Sequence, residues 1–134
     1  NLLQFMIKKN MDETNQGFMK YLGGLNLKNI NNAEYEFLVE VKEMHLNTGQ
    51  IAHGGFLATI ADSAMGTAAH KVAGDQRCVT INLDIKFITA AKLDEKLKGR
   101  VKILKKTKTL IFIICEISNI KDLVISASGT WKIL

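Results

Sequence analysis

Two long stretches of the chain alternate between apolar and polar residues, a pattern typical of half-buried β-strands. The first stretch, NAEYEFLVEVK, has four apolar residues on one face and four charged residues on the other. Its apolar face comprises Tyr35, Phe37, Val39 and Val41, and its charged face comprises Glu34, Glu36, Glu40 and Lys42. In the second stretch, the apolar residues expected to share one face are Val79, Ile81, Leu83, Ile85 and Phe87, and the polar residues between them are Thr80, Asn82, Asp84 and Lys86.

Three further strands and two helices complete the predicted elements. KLKGRVKIL and TLIFIICEIS flank Lys105 to Lys108 as a hairpin, and LVISASGTWKIL forms the last strand. MDETNQGFMKYLGG predicts a short helix that ends at Gly23 and Gly24. The order is a short helix, one or two strands, one long apolar helix and about four strands. Short turns between strands favour antiparallel pairing, so we expect a single α+β domain over residues 1–134.

The long helix, HGGFLATIADSAMGTAAH from His53 to His70, carries one ionisable side chain between Gly54 and Ala69, that of Asp62. A helix that is apolar nearly all round is enclosed on most sides, which predicts a curved sheet wrapped around it. Burying a carboxylate costs several kcal/mol unless it has a partner or a function. Two interpretations stay open. Asp62 either reaches solvent or a structural donor (Thr59, Thr67 or a strand lysine), or it performs chemistry.

The glycines at the start of this helix bear on that choice. Gly54 and Gly55 open the helix with backbone N–H groups that have no acceptor within the helix, at its partially positive end. Such an end can hold an anion or a developing oxyanion. The alternative is a simple glycine entry turn.

Composition limits the function classes. The 134 residues are 47% hydrophobic and 23% charged, which fits one globular domain, and no apolar run reaches the ~18 residues of a membrane span. NLLQFMIKKN lacks the apolar core and cleavage site of a secretory signal, so we expect no export. Cys78 and Cys115 lie in apolar strands at no metal-ligand spacing and are interpreted as reduced thiols, which predicts a cytoplasmic protein.

The net charge of +5 comes without aromatic interleaving or a nucleic-acid-binding motif, so we expect no nucleic-acid partner. The densest basic cluster, LKGRVKILKKTK, is either a solvated strand face or a site for a phosphorylated ligand; its members include Arg100, Lys102, Lys105, Lys106 and Lys108. His53 and His70 are seventeen positions apart, roughly 25 Å along a helix, which argues against one metal site with His45 and Asp62. A serine hydrolase is disfavoured because Ser63 has no glycine elbow.

NTGQIAHGGFLATIAD, followed by VTINLDIKF, resembles the hotdog-fold acyl-CoA thioesterases of the PaaI and THEM2 group. Their pattern is an asparagine, a glycine, His-Gly-Gly and an acidic residue nine positions after the histidine. It is matched by Asn47, Gly49, His53, Gly54, Gly55 and Asp62. The similarity covers nearly the full chain. One departure is Thr89-Ala90-Ala91, where the family usually has a proline in a Pro-Ala turn.

The resemblance implies a role for each matched residue. Asp62 would be the nucleophile or the general base, Gly54 would offer its N–H to the thioester carbonyl, and Asn47 would orient substrate or water. His53 would hold the loop at the helix start, and Thr80 stands where some members have a hydroxyl that contacts the attacking water. The residues expected to bind the rest of the substrate are Gly55, Arg100, Lys105, Lys106 and Lys108.

The implied function is hydrolysis of an acyl-CoA or aryl-acyl-CoA thioester to the free acid and CoA, with no metal and no organic cofactor. The alternative is a non-catalytic acyl-CoA-binding sensor that uses the same pocket. Gly54 and Asp62 are eight residues apart on one helix, roughly 12 Å at the helical rise, so one copy cannot bring both to one thioester. We therefore expect a homodimer with shared active sites, paired further into a homotetramer as in similar family members.

Overall fold

The computed structural model describes residues 11–134, in which seven antiparallel strands form one sheet against one long helix. The strand order across the sheet is β1-β2-β3-β5-β6-β7-β4. The strands are β1 (Met11–Thr14), β2 (Leu25–Asn29), β3 (Glu34–Glu40), β4 (Cys78–Phe87), β5 (Lys96–Lys106), β6 (Leu110–Ser118) and β7 (Leu123–Ile133). The helices are α1 (Gly17–Tyr21) and α2 (Gly54–Val72), and a 3₁₀ turn covers Glu43–His45. The predicted α+β arrangement of a sheet curved around one helix is confirmed.

The N-terminal part differs from the prediction. The prediction placed MDETNQGFMKYLGG in one short helix, but Met11–Thr14 is a strand and the helix covers only Gly17–Tyr21. β1 pairs with β2 as a hairpin, so three strands rather than one or two precede α2. Four residues are too short to show a period of two, and only the pairing with β2 reveals them as a strand. Gly23 and Gly24 end the helix as predicted, with φ of 106° and 78°.

The alternation of β3 is confirmed, because Tyr35 and Phe37 are buried on the helix side of the sheet. The pairing of β5 with β6 is confirmed as well, although the turn is shorter than predicted. Lys105 and Lys106 belong to β5, after an irregularity in register between Ile103 and Lys105.

β4 does not keep one apolar face throughout, which corrects the prediction. The register with β7 shifts between Thr80 and Asn82, so one extra residue, Ile81, stands in the strand. Because side chains alternate with a period of two, such a bulge moves the residues before it to the opposite face. Thr80 consequently faces α2, with Leu83 and Ile85 packed against the core on the same side. Val79 and Ile81 are 43% and 55% exposed.

α2 is buried on one side, not on most sides as predicted. Its buried residues recur at helical spacing against the sheet: Phe56, Leu57, Ile60, Ala61, Ala64, Met65, Ala68 and Ala69. The opposite side is a half-exposed stripe of small and polar residues, formed by Ala58, Thr59, Asp62, Ser63, Gly66, Thr67 and His70. Asp62 therefore lies at the edge of the core, where water reaches it. Within residues 11–134 no helix is long and apolar enough to cross a membrane.

Candidate active site

Asp62 has a strand partner. The Thr80 hydroxyl on β4 donates a hydrogen bond to Oδ1 of Asp62, with 2.8 Å between the oxygens. Among the described residues no donor reaches Oδ2, so that oxygen is open to water. The bulge at Ile81 makes this contact possible, since an uninterrupted alternation would turn Thr80 away from the helix. The structure thus brings together two of the predicted catalytic residues.

The start of α2 is capped by His53. Its side chain is at the N-cap position and its Nδ1 accepts the N–H of Gly55 at 2.8 Å. The two amides were expected to be equally bare, but the Gly55 N–H is engaged. The Gly54 N–H has no acceptor among the described residues, because the first helical positions lack an intrahelical partner. One free amide at the partially positive helix end is therefore available to donate a hydrogen bond to an oxyanion.

Asn47 organises the loop that leads into this helix. Its Oδ1 accepts the N–H groups of Gly49 and Ile51, at 2.9 and 3.2 Å. The side-chain oxygen is thus committed to the loop, whereas the amide Nδ2 has no partner among the described residues. Asn47 can therefore act toward a ligand only as a hydrogen-bond donor. Asn47 and Gly54 line the same hollow of about 260 Å³, together with Phe87 and Ala91.

The two halves of the predicted site do not meet within one chain. Gly54 and Asn47 line the hollow at the helix start, whereas Asp62 lines a different hollow of about 420 Å³ with Phe18, Met19 and Ser63. The helical rise between Gly54 and Asp62 is roughly 12 Å. A carboxylate and an oxyanion donor must both lie within about 3.5 Å of the reacting atoms. A single copy of the described chain therefore holds the Asp62 carboxylate and the Gly54 amide in two separate hollows.

The predicted basic residues divide into two sets. Arg100 is on the sheet face that points away from α2, and its guanidinium is 3.4 Å from Glu36. Arg100 therefore does not join Asp62 and Thr80. Lys106 lies in the same cross-strand row as Thr80, three strands away through Trp131 and Ile111, or about 14 Å. Lys105 is paired with Phe112 and is on the same sheet face as Arg100, whereas Lys108 is in the β5–β6 turn.

His45 is a residue near the site whose role the sequence did not reveal. It is 3% exposed and is the one buried polar or charged residue among the described side chains. Its ring stacks on Phe56 of α2, with centroids 3.8 Å apart. A lone histidine in a polar loop carries no sequence signal of burial, because the contacts that bury it come from distant segments.

No group of three or more His, Cys, Asp or Glu residues within the described range could hold a metal ion. Burial raises the pKa of the Cys115 thiol to about 12, with a smaller contribution from the negative charge of Glu116. Burial also raises the pKa of Cys78.

The chain matches the family model of the Thioesterase superfamily over residues 49–126. Acyl-coenzyme A thioesterase 13 from mouse is 31% identical over 60% of this chain and 58% of that protein. The human protein of the same name is 27% identical over 78% of this chain and 74% of its own length. Phenylacetic acid degradation protein PaaI from Thermus thermophilus, solved as a mutant, aligns with a TM-score of 0.78 and 26% identity over 87% of this chain and 98% of that chain.

The fold has further solved relatives. Zebra fish thioesterase superfamily member 2 aligns with a TM-score of 0.80 over 88% of this chain and 87% of that chain, at 24% identity. The chain therefore belongs to the Thioesterase superfamily and has the hotdog fold, as the PaaI and THEM2 resemblance implied. It is a thioester hydrolase.

Proposed function

We propose that the chain hydrolyses acyl-CoA thioesters at a site shared between two copies of the protein. The observation that carries the proposal is the division of one helix into two half-sites. A carboxylate held by Thr80 lies at Asp62, and a free amide lies roughly 12 Å away at Gly54. Two antiparallel copies of α2 would bring Asp62 of one subunit to Gly54 of the other. A two-fold axis then generates two equivalent sites.

The reaction needs only water and protein groups, so we propose no metal and no organic cofactor. Oδ2 of Asp62 takes a proton from water, and the water oxygen bonds to the thioester carbon. The carbonyl oxygen becomes an oxyanion that accepts the Gly54 N–H, and the Asn47 Nδ2 group donates to the substrate or to the water. The carbon–sulfur bond then breaks and CoA leaves as a thiolate. Direct attack by Asp62, followed by hydrolysis of the anhydride, uses the same groups.

The edge of the sheet supports a second copy as the partner. β4 is an edge strand of ten residues, and its outward residues Val79 and Ile81 are exposed apolar side chains. A long apolar edge strand with unpaired backbone groups is a template for pairing with another chain. β4 lies beside the half-exposed stripe of α2, so pairing of β4 with a second copy would bury this stripe as well. Further assembly into a homotetramer stays a prediction.

The names of the relatives favour CoA as the thiol part of the substrate. Two of them are called acyl-coenzyme A thioesterase 13. CoA carries a 3′-phosphate and a diphosphate, and we propose that Lys105, Lys106 and Lys108 bind these groups. No carboxylate lies within 4 Å of these three lysines in the described part of the chain. Their charge is therefore available to an anion. A cytoplasmic location, based on the reduced cysteines, stays a prediction.

Release of free thiol from a panel of acyl-CoAs tests the activity. The panel comprises phenylacetyl-, hydroxybenzoyl-, hexanoyl- and palmitoyl-CoA, each followed with a thiol-reactive dye that is added after quenching. We expect turnover of at least one member and a ranking of kcat/KM that identifies the acyl group. Tight binding of every member without thiol release would instead support the sensor alternative.

Mixing two inactive variants tests the shared site. Asp62→Asn removes the carboxylate. Gly54→Val fills the hollow beside the free amide, because even a Cβ at that position would lie 3.3 Å from the ring of Phe87, which lines the same hollow. Each homodimer should be nearly inactive, whereas the mixed dimer keeps one intact site of two. Recovery of activity after subunit exchange supports the proposal. A fully active monomer in sedimentation, or no recovery despite confirmed exchange, contradicts it.

A further inference from the structure

His45 is buried between the segments around Leu22, Lys42 and Phe56 and uses both nitrogen atoms of its ring. Nδ1 accepts the backbone N–H of Lys42 at 2.9 Å, and Nε2 is 2.8 Å from the carbonyl oxygen of Leu22. A carbonyl can only accept, so the ring proton must be on Nε2. Nδ1 must then be bare, because it faces a donor. The two contacts select one neutral tautomer and hold the ring in one orientation.

His45 contacts the start of α2 in two ways, one through its ring and one through its backbone. Its plane is stacked on the ring of Phe56, the third residue of the helix, at an angle of 9°. The backbone carbonyl of His45 accepts the N–H of His53 at 2.7 Å. His53 is the N-cap that accepts the Gly55 N–H. Both residues that flank Gly54 and Gly55 are thus held by His45.

We propose that His45 is a positioning residue that fixes the orientation of the free Gly54 amide, a role that rests on the proposed function. The amide belongs to the peptide between the N-cap and the first helical residue, so its direction follows from the placement of His53 and Phe56. Stabilisation by an oxyanion donor depends on a separation of about 2.7–3.1 Å from the developing charge. Removing the ring at position 45 removes the stacking contact that holds Phe56 and the two hydrogen bonds that fix the ring.

Hydrogen exchange tests the positioning without any need for activity. The amides to follow are those of His53, which donates to His45, and of Leu57, which donates to the His53 carbonyl. In His45→Ala we expect their exchange to accelerate at least tenfold more than that of Cys115 in β6. The matched control is Val101→Ala, since Val101 is fully buried in β5 and forms no part of this chain of contacts. Equal acceleration at all three amides in His45→Ala would overturn the proposal.

Kinetics test the link to catalysis, with the acyl-CoA that the wild-type protein hydrolyses fastest. We expect His45→Ala to lower kcat at least tenfold and to change KM less than threefold, because an oxyanion donor acts in the transition state. Val101→Ala should keep kcat within twofold of the wild-type value, although it should lower Tm about as much as His45→Ala does. His45→Asn should recover part of kcat, because Asn Oδ1 can accept the Lys42 N–H in place of Nδ1. A His45→Ala protein with kcat like that of the control would overturn the proposal.

A third measurement applies if His45→Ala does not fold. ¹⁵N spectra of the wild-type histidine rings report which nitrogen carries the proton, and we expect Nε2 for His45. A proton on Nδ1 would contradict the contacts from which the role is argued. Failure of the proposed function is recognised separately, since wild-type protein would then release no thiol while the exchange and tautomer results could still hold.

Discussion

The hydroxyl of Thr80 donates to Oδ1 of Asp62 across 18 positions of sequence, from the edge strand to the central helix. The contact explains how a carboxylate is accommodated in the most apolar helix of the chain. One oxygen of the carboxylate is satisfied by a fixed donor, and the other faces a half-exposed surface. A group that is oriented but still hydrated suits a base that must receive a water molecule. A purely structural acceptor would gain more from having both oxygens paired.

Replacing Asp62 with Asn should abolish most of the activity. The change keeps the size of the side chain and removes the charge, so we expect kcat to fall by about 10²–10⁴ with little change in KM. Because Asp62 is at the edge of the core, the free energy of unfolding should change by less than about 1 kcal/mol. Steady-state kinetics and thermal unfolding check both parts. Full turnover in the variant would exclude Asp62 as base or nucleophile.

Thr80 offers a pair of variants that separates its hydroxyl from its shape. Thr80→Ser keeps the donor to Asp62 and should retain kcat within about threefold. Thr80→Val keeps the shape but removes the donor, so the carboxylate loses its fixed orientation and kcat should fall by about tenfold or more. Equal kcat in the two variants would mean that the hydroxyl does not orient Asp62 during the reaction.

The sequence alone predicted the larger elements because they are long enough for the alternation of apolar and polar residues to repeat. β3 and α2 each span several repeats of their period, and the buried face of β3 is confirmed. The missed strand, Met11–Thr14, is held by its pairing with β2, which no local pattern reveals. The predicted face of the first residues of β4 was wrong because a bulge at Ile81 reverses the alternation of side chains. A single inserted residue cannot be recognised from the pattern of apolar residues alone.

The sequence motif named candidate site residues, but it could not predict the contacts between them. The motif located Asp62 and Gly54, and helical geometry showed that they cannot meet within one chain. It could not show that His53 occupies the Gly55 amide and leaves Gly54 free, since both glycines look alike in sequence. His45 was missed for a similar reason, because its burial depends on Leu22, Lys42 and Phe56, three segments brought together only by folding.

The two glycines at the helix start should respond differently to alanine. A Cβ at Gly55 would lie 2.9 Å from Nδ1 of His53, so Gly55→Ala displaces the cap. Loss of an N-cap costs about 0.5–2 kcal/mol, which should appear as a lower Tm. A Cβ at Gly54 would meet only the Phe87 ring edge at 3.3 Å, so Gly54→Ala should be the more stable of the two. The opposite order of Tm would contradict the capping role of His53.

The two cysteines should differ in reactivity toward thiol reagents. Burial, with Glu116 adding to it, raises the pKa of Cys115 to about 12, so its thiolate fraction at pH 8 is about 10⁻⁴. Cys78 is only partly buried, and burial raises its pKa as well. In native protein a maleimide should label Cys78 and spare Cys115, and both should react in guanidinium. Mass spectrometry assigns the labelled cysteine, and Cys78→Ser should be almost unlabelled in the native state. Rapid labelling of Cys115 without denaturant would contradict its burial.

The basic residues at the β5–β6 turn should govern the affinity for CoA. Replacing Lys105, Lys106 and Lys108 with Gln should raise KM by about tenfold at low salt and flatten its rise with ionic strength, because screening acts over ~10 Å at 0.1 M. A matched control removes three charges from a hollow whose lining also includes the three acidic residues Asp94, Glu95 and Asp122. This control triple is Lys92→Gln, Lys96→Gln and Lys121→Gln, around a hollow of about 480 Å³. It should change KM less than threefold. A larger effect from the control triple would indicate that the phosphates bind at that hollow instead. Equal effects would indicate that KM responds only to the net charge of the protein.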